Sequence, residues 1–182
     1  MGSMTKLPKI TNKYKKENWL FGQFIPVDLG NKLPIIFLGE KPSNYFIHHP
    51  ARRYLGNYNA TPTDKYFQEF IGKYFPKNSV YVTDMVKTEG VAGANFENEW
   101  RDYEKFLECL IDEIETINPK VIVCMSKRTE KLFSLSFPHI KTLSINHPSY
   151  VYRWKNRSFT NGLSVKNRWE EQFLNITKEL NK

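Results

Sequence analysis

A chain of 182 residues, 40% of them hydrophobic and with a negative mean hydropathy, has the length and composition of one soluble globular domain with a buried core. No apolar run nears the roughly 18 residues of a membrane span, and the N-terminus lacks the apolar stretch of a signal peptide, so no membrane association is expected. Two cysteines, Cys109 and Cys124, exclude a disulfide framework and a four-cysteine metal site; both lie in apolar patterns and read as buried, reduced thiols of a cytoplasmic protein.

The net charge of +8 is unevenly spread. Between Lys131 and Trp169 stand Lys131, Lys141, Arg153, Lys155, Arg157, Lys166 and Arg168 with no acid among them. Between Glu97 and Glu115, eight acids face only Arg101 and Lys105. A basic flank opposite an acidic back suits a protein that binds phosphates. Tyr150, Tyr152, Trp154 and Phe159 interleave with the basic residues, which favours nucleic acid because rings stack on unpaired bases.

In chain order, Met1-Gly2-Ser3-Met4 reads as a cloning remnant, and residues 1–19 as a basic arm loosely ordered at its start. Residues 20–182 read as a single domain. Four short, nearly continuous apolar runs predict strands over 35–38, 80–83, 121–124 and 142–145, covered on both faces. Helical spacing predicts helices over 63–74, 98–117, 128–135 and 166–180. The second carries Trp100, Tyr103, Phe106, Leu107, Leu110, Ile111, Ile114 and Ile117 on one face, a core stripe, and Asn118-Pro119 ends it. Strands alternating with helices imply an α/β protein, a three-layer α/β/α sandwich on a four-stranded, mainly parallel sheet.

Ligands of such sheets bind beyond the carboxyl ends of the strands. The first predicted strand ends in Gly39-Glu40-Lys41-Pro42-Ser43, the second in Thr83-Asp84 and the fourth in Asn146-His147-Pro148-Ser149. Two carboxylates and a histidine therefore converge on one rim. His48 and His49 are adjacent and lack a third ligand, so no metal is expected.

These strand ends resemble the uracil-DNA glycosylase superfamily. Gly39-Glu40-Lys41-Pro42-Ser43 is similar to its first motif, in the Gly-Glu-x-Pro-Gly form of one branch. The run from His147 to Arg153 is similar to the second, which opens His-Pro-Ser or His-Pro-Ala. Val82-Thr83-Asp84-Met85-Val86-Lys87 is similar to the family's Val-Thr-Asn-x-Val-Lys strand end. The likeness covers residues 20–180, in order and at family-like separations.

The resemblance implies a DNA glycosylase of base excision repair that flips a base out of DNA and hydrolyses its N-glycosidic bond. Cleavage develops positive charge on the sugar and negative charge on the base. Glu40 would orient or deprotonate the water and stabilise the oxocarbenium-like sugar. His147 would donate to the base carbonyl that gains charge. Gly39, Lys41, Pro42 and Asp84 would line the base pocket, with Phe46 or Tyr54, from the loop 44–58, stacking on the base. His48, His49, Arg52 and Arg53 add a polar, basic edge to that loop. Tyr150, Val151 and Tyr152 occupy the place of the family's wedge, which fills the gap left by the extruded nucleotide. Arg153, Lys155 and Arg157 would clamp phosphates, and Ser43 and Ser149 would donate to phosphates beside the site. The implied protein is a monofunctional enzyme, a monomer with DNA as its partner, without a cofactor.

Three residues or sets depart from the family pattern. The branch with Gly-Glu-x-Pro-Gly holds an iron–sulfur cluster on four cysteines, which two cysteines cannot do. Ser43 replaces a glycine. Asp84 stands where the family has an asparagine that reads uracil; an ionised Asp offers only acceptors. Asp84 leaves three readings open: it reads a cytosine-type base, plain or modified, as in foreign phage DNA; it is protonated; or it lies just outside the pocket. Uracil remains the leading base. A DNA-binding relative without catalysis is the competing class.

Overall fold

The computed structural model describes residues 12–14, 19, 22–25, 34–42, 61–75, 80–88, 96–159 and 162–182, and for residues 24, 25 and 96–105 their backbone alone. The strands are β1 (Gln23–Ile25), β2 (Ile35–Gly39), β3 (Val80–Asp84), β4 (Val121–Cys124) and β5 (Thr142–Ser144). The helices are α1 (Pro62–Tyr74), α2 (Phe96–Ile117), α3 (Lys127–Ser136), α4 (Pro148–Trp154) and α5 (Val165–Leu180).

The sheet runs β1-β3-β2-β4-β5. β3, β2, β4 and β5 are parallel, as the alternation of strands and helices predicts; β1 adds a short antiparallel edge strand beside β3. β2, β3 and β4 are buried along their whole length, which is why they read as unbroken apolar runs. Ile35 and Phe37 face a core shared with Phe67 and Ile71 of α1 and with Trp169 and Phe173 of α5. Ile36 and Leu38 face the other layer, with Phe106 and Leu110 of α2 and Phe133 of α3. The chain forms the three expected layers.

The helix ends are set by local chemistry. Thr61 and Asp64 form a reciprocal capping box at α1, with Pro62 in the first turn. Ser126 and Ser164 cap α3 and α5, accepting from the Thr129 and Asn167 amides. α2 stops at Asn118, whose φ of 48° lies in the left-handed region that Asn tolerates, and its N–H donates to the Ile114 carbonyl. The acidic back of α2 meets the basic arm: Lys13 Nζ lies 2.8 Å from both Glu108 and Asp112, and Tyr14 donates to Asp112. Tyr14 in turn stacks on Trp19, which meets Phe106 edge-on.

Between the sheet and α2 lies a charged pair with no exposed side-chain surface. Lys87 Nζ sits 2.5 Å from Glu113 Oε2 and 2.7 Å from both Thr83 Oγ1 and the Asp84 carbonyl. Glu113 also accepts from the hydroxyls of Tyr81, at 2.9 Å, and Thr83, at 3.0 Å. A buried charge is tolerated only when paired and saturated with hydrogen bonds, and here both ions are. Lys87→Met therefore strands Glu113 and should cost about 3–5 kcal/mol in urea unfolding. Adding Glu113→Gln, which still accepts from Tyr81 and Thr83, should recover a large part of that loss.

Candidate active site

The rim is built by tying the strand ends together beyond the sheet. In register, Gly39 lies opposite Asp84, Leu38 opposite Cys124 and Cys124 opposite Ser144. Past the last paired residues, the Met85 and Val86 amides donate to the Gly39 and Glu40 carbonyls, each at 3.0 Å. The Met125 amide donates to Leu38 and the Ile145 amide to Cys124. After β3 the chain crosses to the far side of β2, so Gly39 and Glu40 emerge where the direction of winding reverses. Open α/β sheets form their ligand crevice at such a point.

Strand alternation puts Gly39 and Asp84 on the α1/α5 side, whereas Glu40 turns toward α3. Its Oε1 meets Arg128 Nη2 at 3.1 Å, with the Glu40 side chain 24% exposed and Arg128 46%. Asp84 and Pro42 are buried and Lys41 is half-buried. Through its carbonyl, Asp84 is fixed to Lys87, so the buried pair holds the end of β3 in place.

His147 is the N-cap of α4. Its Nδ1 accepts from the Ser149 amide at 3.2 Å and lies 2.7 Å from Ser149 Oγ. A nitrogen that accepts from an amide carries no proton, so the neutral ring holds its hydrogen on Nε2, where it can be donated. Protein surrounds the ring closely while its edge stays open to solvent, and this desolvation lowers its pKa. The preceding residue is pinned from α5: the Asn146 amide donates to Gln172 Oε1 at 2.9 Å, and Trp169 Nε1 donates to the Asn146 carbonyl at 3.1 Å.

The second motif is helical, which sequence reading missed, and this changes the assignment of its residues. Residues on a helix fan out by about 100° each, so Tyr150, Val151 and Tyr152 cannot share one face. Val151 is fully buried in the core. A wedge role for its side chain is therefore withdrawn. Tyr150 is 42% exposed, and Arg153 is exposed beside it. Tyr152 turns sideways onto Tyr66, with ring centroids 5.8 Å apart, and Lys155 Nζ lies 4.4 Å from the Tyr152 ring and 5.2 Å from that of Tyr66. The Arg157 guanidinium stacks 3.7 Å over Trp154, and the bridge Ser158–Ser164 ties the loop after it to the start of α5.

Glu40, Asp84 and His147 thus stand on one rim with Gly39, Lys41 and Pro42. Ser43, Phe46 and Tyr54 lie outside the described residues, as do His48, His49, Arg52 and Arg53. Sequence reading missed three residues. Arg128 follows the end of β4, a position the same strand-end logic could have flagged. Trp169 and Gln172 sit in the stripe of α5, where nothing local separates a tether from core. Among the described residues no group of three or more His, Cys, Asp or Glu could hold a metal ion. Cys109 and Cys124 lie within α2 and β4, both buried, and do not fit an iron–sulfur cluster that needs four thiolates.

A family model described as the Uracil DNA glycosylase superfamily matches residues 27–175. The match runs from before β2 into α5 and takes in every residue of the rim, and the chain belongs to this superfamily. No curated protein matches the chain significantly.

With its pKa lowered, folded His147 takes up a proton less readily than the unfolded chain. An NMR titration of its ring should give a midpoint below 6.5. Its contribution to stability should be constant above that pH and fall on acidification toward the folded midpoint, a loss that His147→Asn removes.

Proposed function

We propose that the chain is a monofunctional DNA glycosylase that hydrolyses the N-glycosidic bond of a flipped-out base, uracil first among them. The observation that carries the reading is the pair of contacts that Ser149 makes to His147 Nδ1. A neutral imidazole with Nδ1 occupied by Ser149 presents Nε2–H from the same rim as Glu40 and Asp84. A neutral donor suits a base oxygen that gains negative charge as the bond breaks, because it stabilises the leaving anion without needing to titrate. Glu40, held by Arg128, is the carboxylate that orients the water and faces the cationic sugar. Gly39, Lys41, Pro42 and Asp84 line the pocket.

DNA reaches this rim across α4. Tyr150 is the side chain available to fill the gap left by the extruded nucleotide, and Arg153, Lys155 and Arg157 meet phosphates, with Ser149 beside them. Phosphate contacts of this kind make binding fall as salt rises. The enzyme acts as a monomer on DNA in the cytoplasm, without a cofactor. A second reading, a cytosine-type base in foreign DNA, is favoured by the acceptor-only chemistry of Asp84.

DNA carrying uracil, hypoxanthine, xanthine, cytosine or modified cytosine, single- or double-stranded, is the direct test, read as alkali-labile abasic sites. Uracil should be released, and Glu40→Gln and His147→Ala should each lower kcat about 10²- to 10³-fold, the scale of one lost stabilising group. Release of no base, or variants that act like the parent, would refute the assignment. Tyr150→Ala should slow release from double-stranded DNA at least tenfold more than from single strands, where no stack has to be filled. Equal effects on both would remove Tyr150 as the wedge.

A further inference from the structure

Asp84 raises a problem of hydrogen-bond count. Uracil shows a pocket three groups in a row along its edge: the O2 acceptor, the N3–H donor and the O4 acceptor. His147 Nε2–H can meet O2, and a carboxylate can accept from N3–H. An asparagine would also donate to O4, and an ionised aspartate has no hydrogen to give.

A donor stands next to it. Gln23, the first residue of β1, pairs with Val82 of β3. Its side chain belongs on the face of Val82 and Asp84, because cross-strand partners point the same way and residues two apart share a face. The neighbouring Gly22 confirms the phase. A Cβ there would lie 2.5–2.6 Å from Tyr81 and Thr83, so Gly22 faces the α2 layer and Gln23 the opposite one. β1 is antiparallel, so its first residues lie at the rim end of β3. Diagonal neighbours in such a pair are about 7–8 Å apart, within the joint reach of a glutamine, an aspartate and one base edge.

The amide also has an unmet need. Gln23 Nε2 is buried and has no hydrogen-bond partner. A buried donor left unpaired is costly, and such a group in a folded protein calls for an explanation. A ligand that accepts its hydrogen would supply one.

We infer that Gln23 supplies the donor that Asp84 lacks, so that the two side chains together read the N3–H and 4-oxo edge of uracil. The order across the sheet agrees: His147 follows β5 at one edge, Asp84 ends β3, and Gln23 lies on β1 at the other edge. From β5 to β1 the protein offers donor, acceptor, donor, the complement of uracil's acceptor, donor, acceptor. Cytosine shows acceptor, acceptor, donor: its N3 opposes the Asp84 carboxylate, and the Gln23 amide would have to turn over to present Oε1 to the 4-amino group. The inference rests on the glycosylase reading for its ligand and selects the 4-oxo base over the cytosine-type alternative.

The test compares the full chain with Gln23→Leu, Gln23→Met, Asp84→Asn and the double variant Asp84→Asn/Gln23→Leu. Release from uracil-DNA and cytosine-DNA and binding to each duplex are measured, with melting temperatures. Gln23→Leu should lower kcat/KM on uracil by about tenfold to a hundredfold, the loss expected when a buried base oxygen is left unpaired. Its melting temperature should stay level or rise, because the orphaned amide is gone. Gln23→Met gives the same comparison if the leucine fails to fold. In the Asp84→Asn background, where asparagine offers donor and acceptor by itself, Gln23→Leu should change uracil release less than threefold.

Release of uracil at parental rates by Gln23→Leu and Gln23→Met overturns the inference and leaves the glycosylase reading standing. A chain that releases no base, yet prefers to bind uracil-DNA through Gln23, keeps the inference and loses the catalytic reading. Neither release nor a binding preference overturns both.

Discussion

An ammonium group shut away from water must be met on every side by acceptors, and the way Lys87 meets this demand organises the molecule. Its partners come from two layers: Glu113 from α2, and Thr83 Oγ1 and the Asp84 carbonyl from the end of β3. Removing either ion leaves the other unpaired in the interior, a penalty larger than most single contacts can offset. The pair therefore acts as a geometric constraint. The helix cannot slide along the end of β3 without breaking it. A rim whose side chains must keep fixed positions benefits from such a stop placed behind it.

Around that fixed point, cations are held in two different ways. Three acids of α2 are met: Glu108 and Asp112 by Lys13 and Tyr14 at the surface, and Glu113 by Lys87 in the interior. On the other face, Lys155 and Arg157 rest on aromatic rings rather than on carboxylates. A ring holds a cation in place without cancelling its charge, so the positive field remains available to a polyanion.

How much of this could be read from the chain depends on whether the cause was local. β2, β3 and β4 were legible because strands covered on both faces leave unbroken apolar runs, and α2 because its stripe is long. β1 was not: it is three residues, Gln-Phe-Ile, recruited by the open edge of β3. α4 was hidden because His147-Pro148-Ser149 reads as a turn, although proline suits the first position of a helix. Missing that helix turned three consecutive residues into one surface, and Val151 was misassigned as a result. Glu40, Asp84 and His147 could be proposed as site residues because they follow strand ends directly. Arg128, Gln172 and Trp169 act across the fold, and no sequence period reports such contacts.

The two thiols show what burial does to chemistry away from the site. Cys109 and Cys124 are enclosed, and desolvation pushes both pKa values up to about 12. At neutral pH both positions therefore stay in the thiol form. Oxidants and alkylating agents attack the thiolate, so the same agents that damage bases find no reactive sulfur at these two positions.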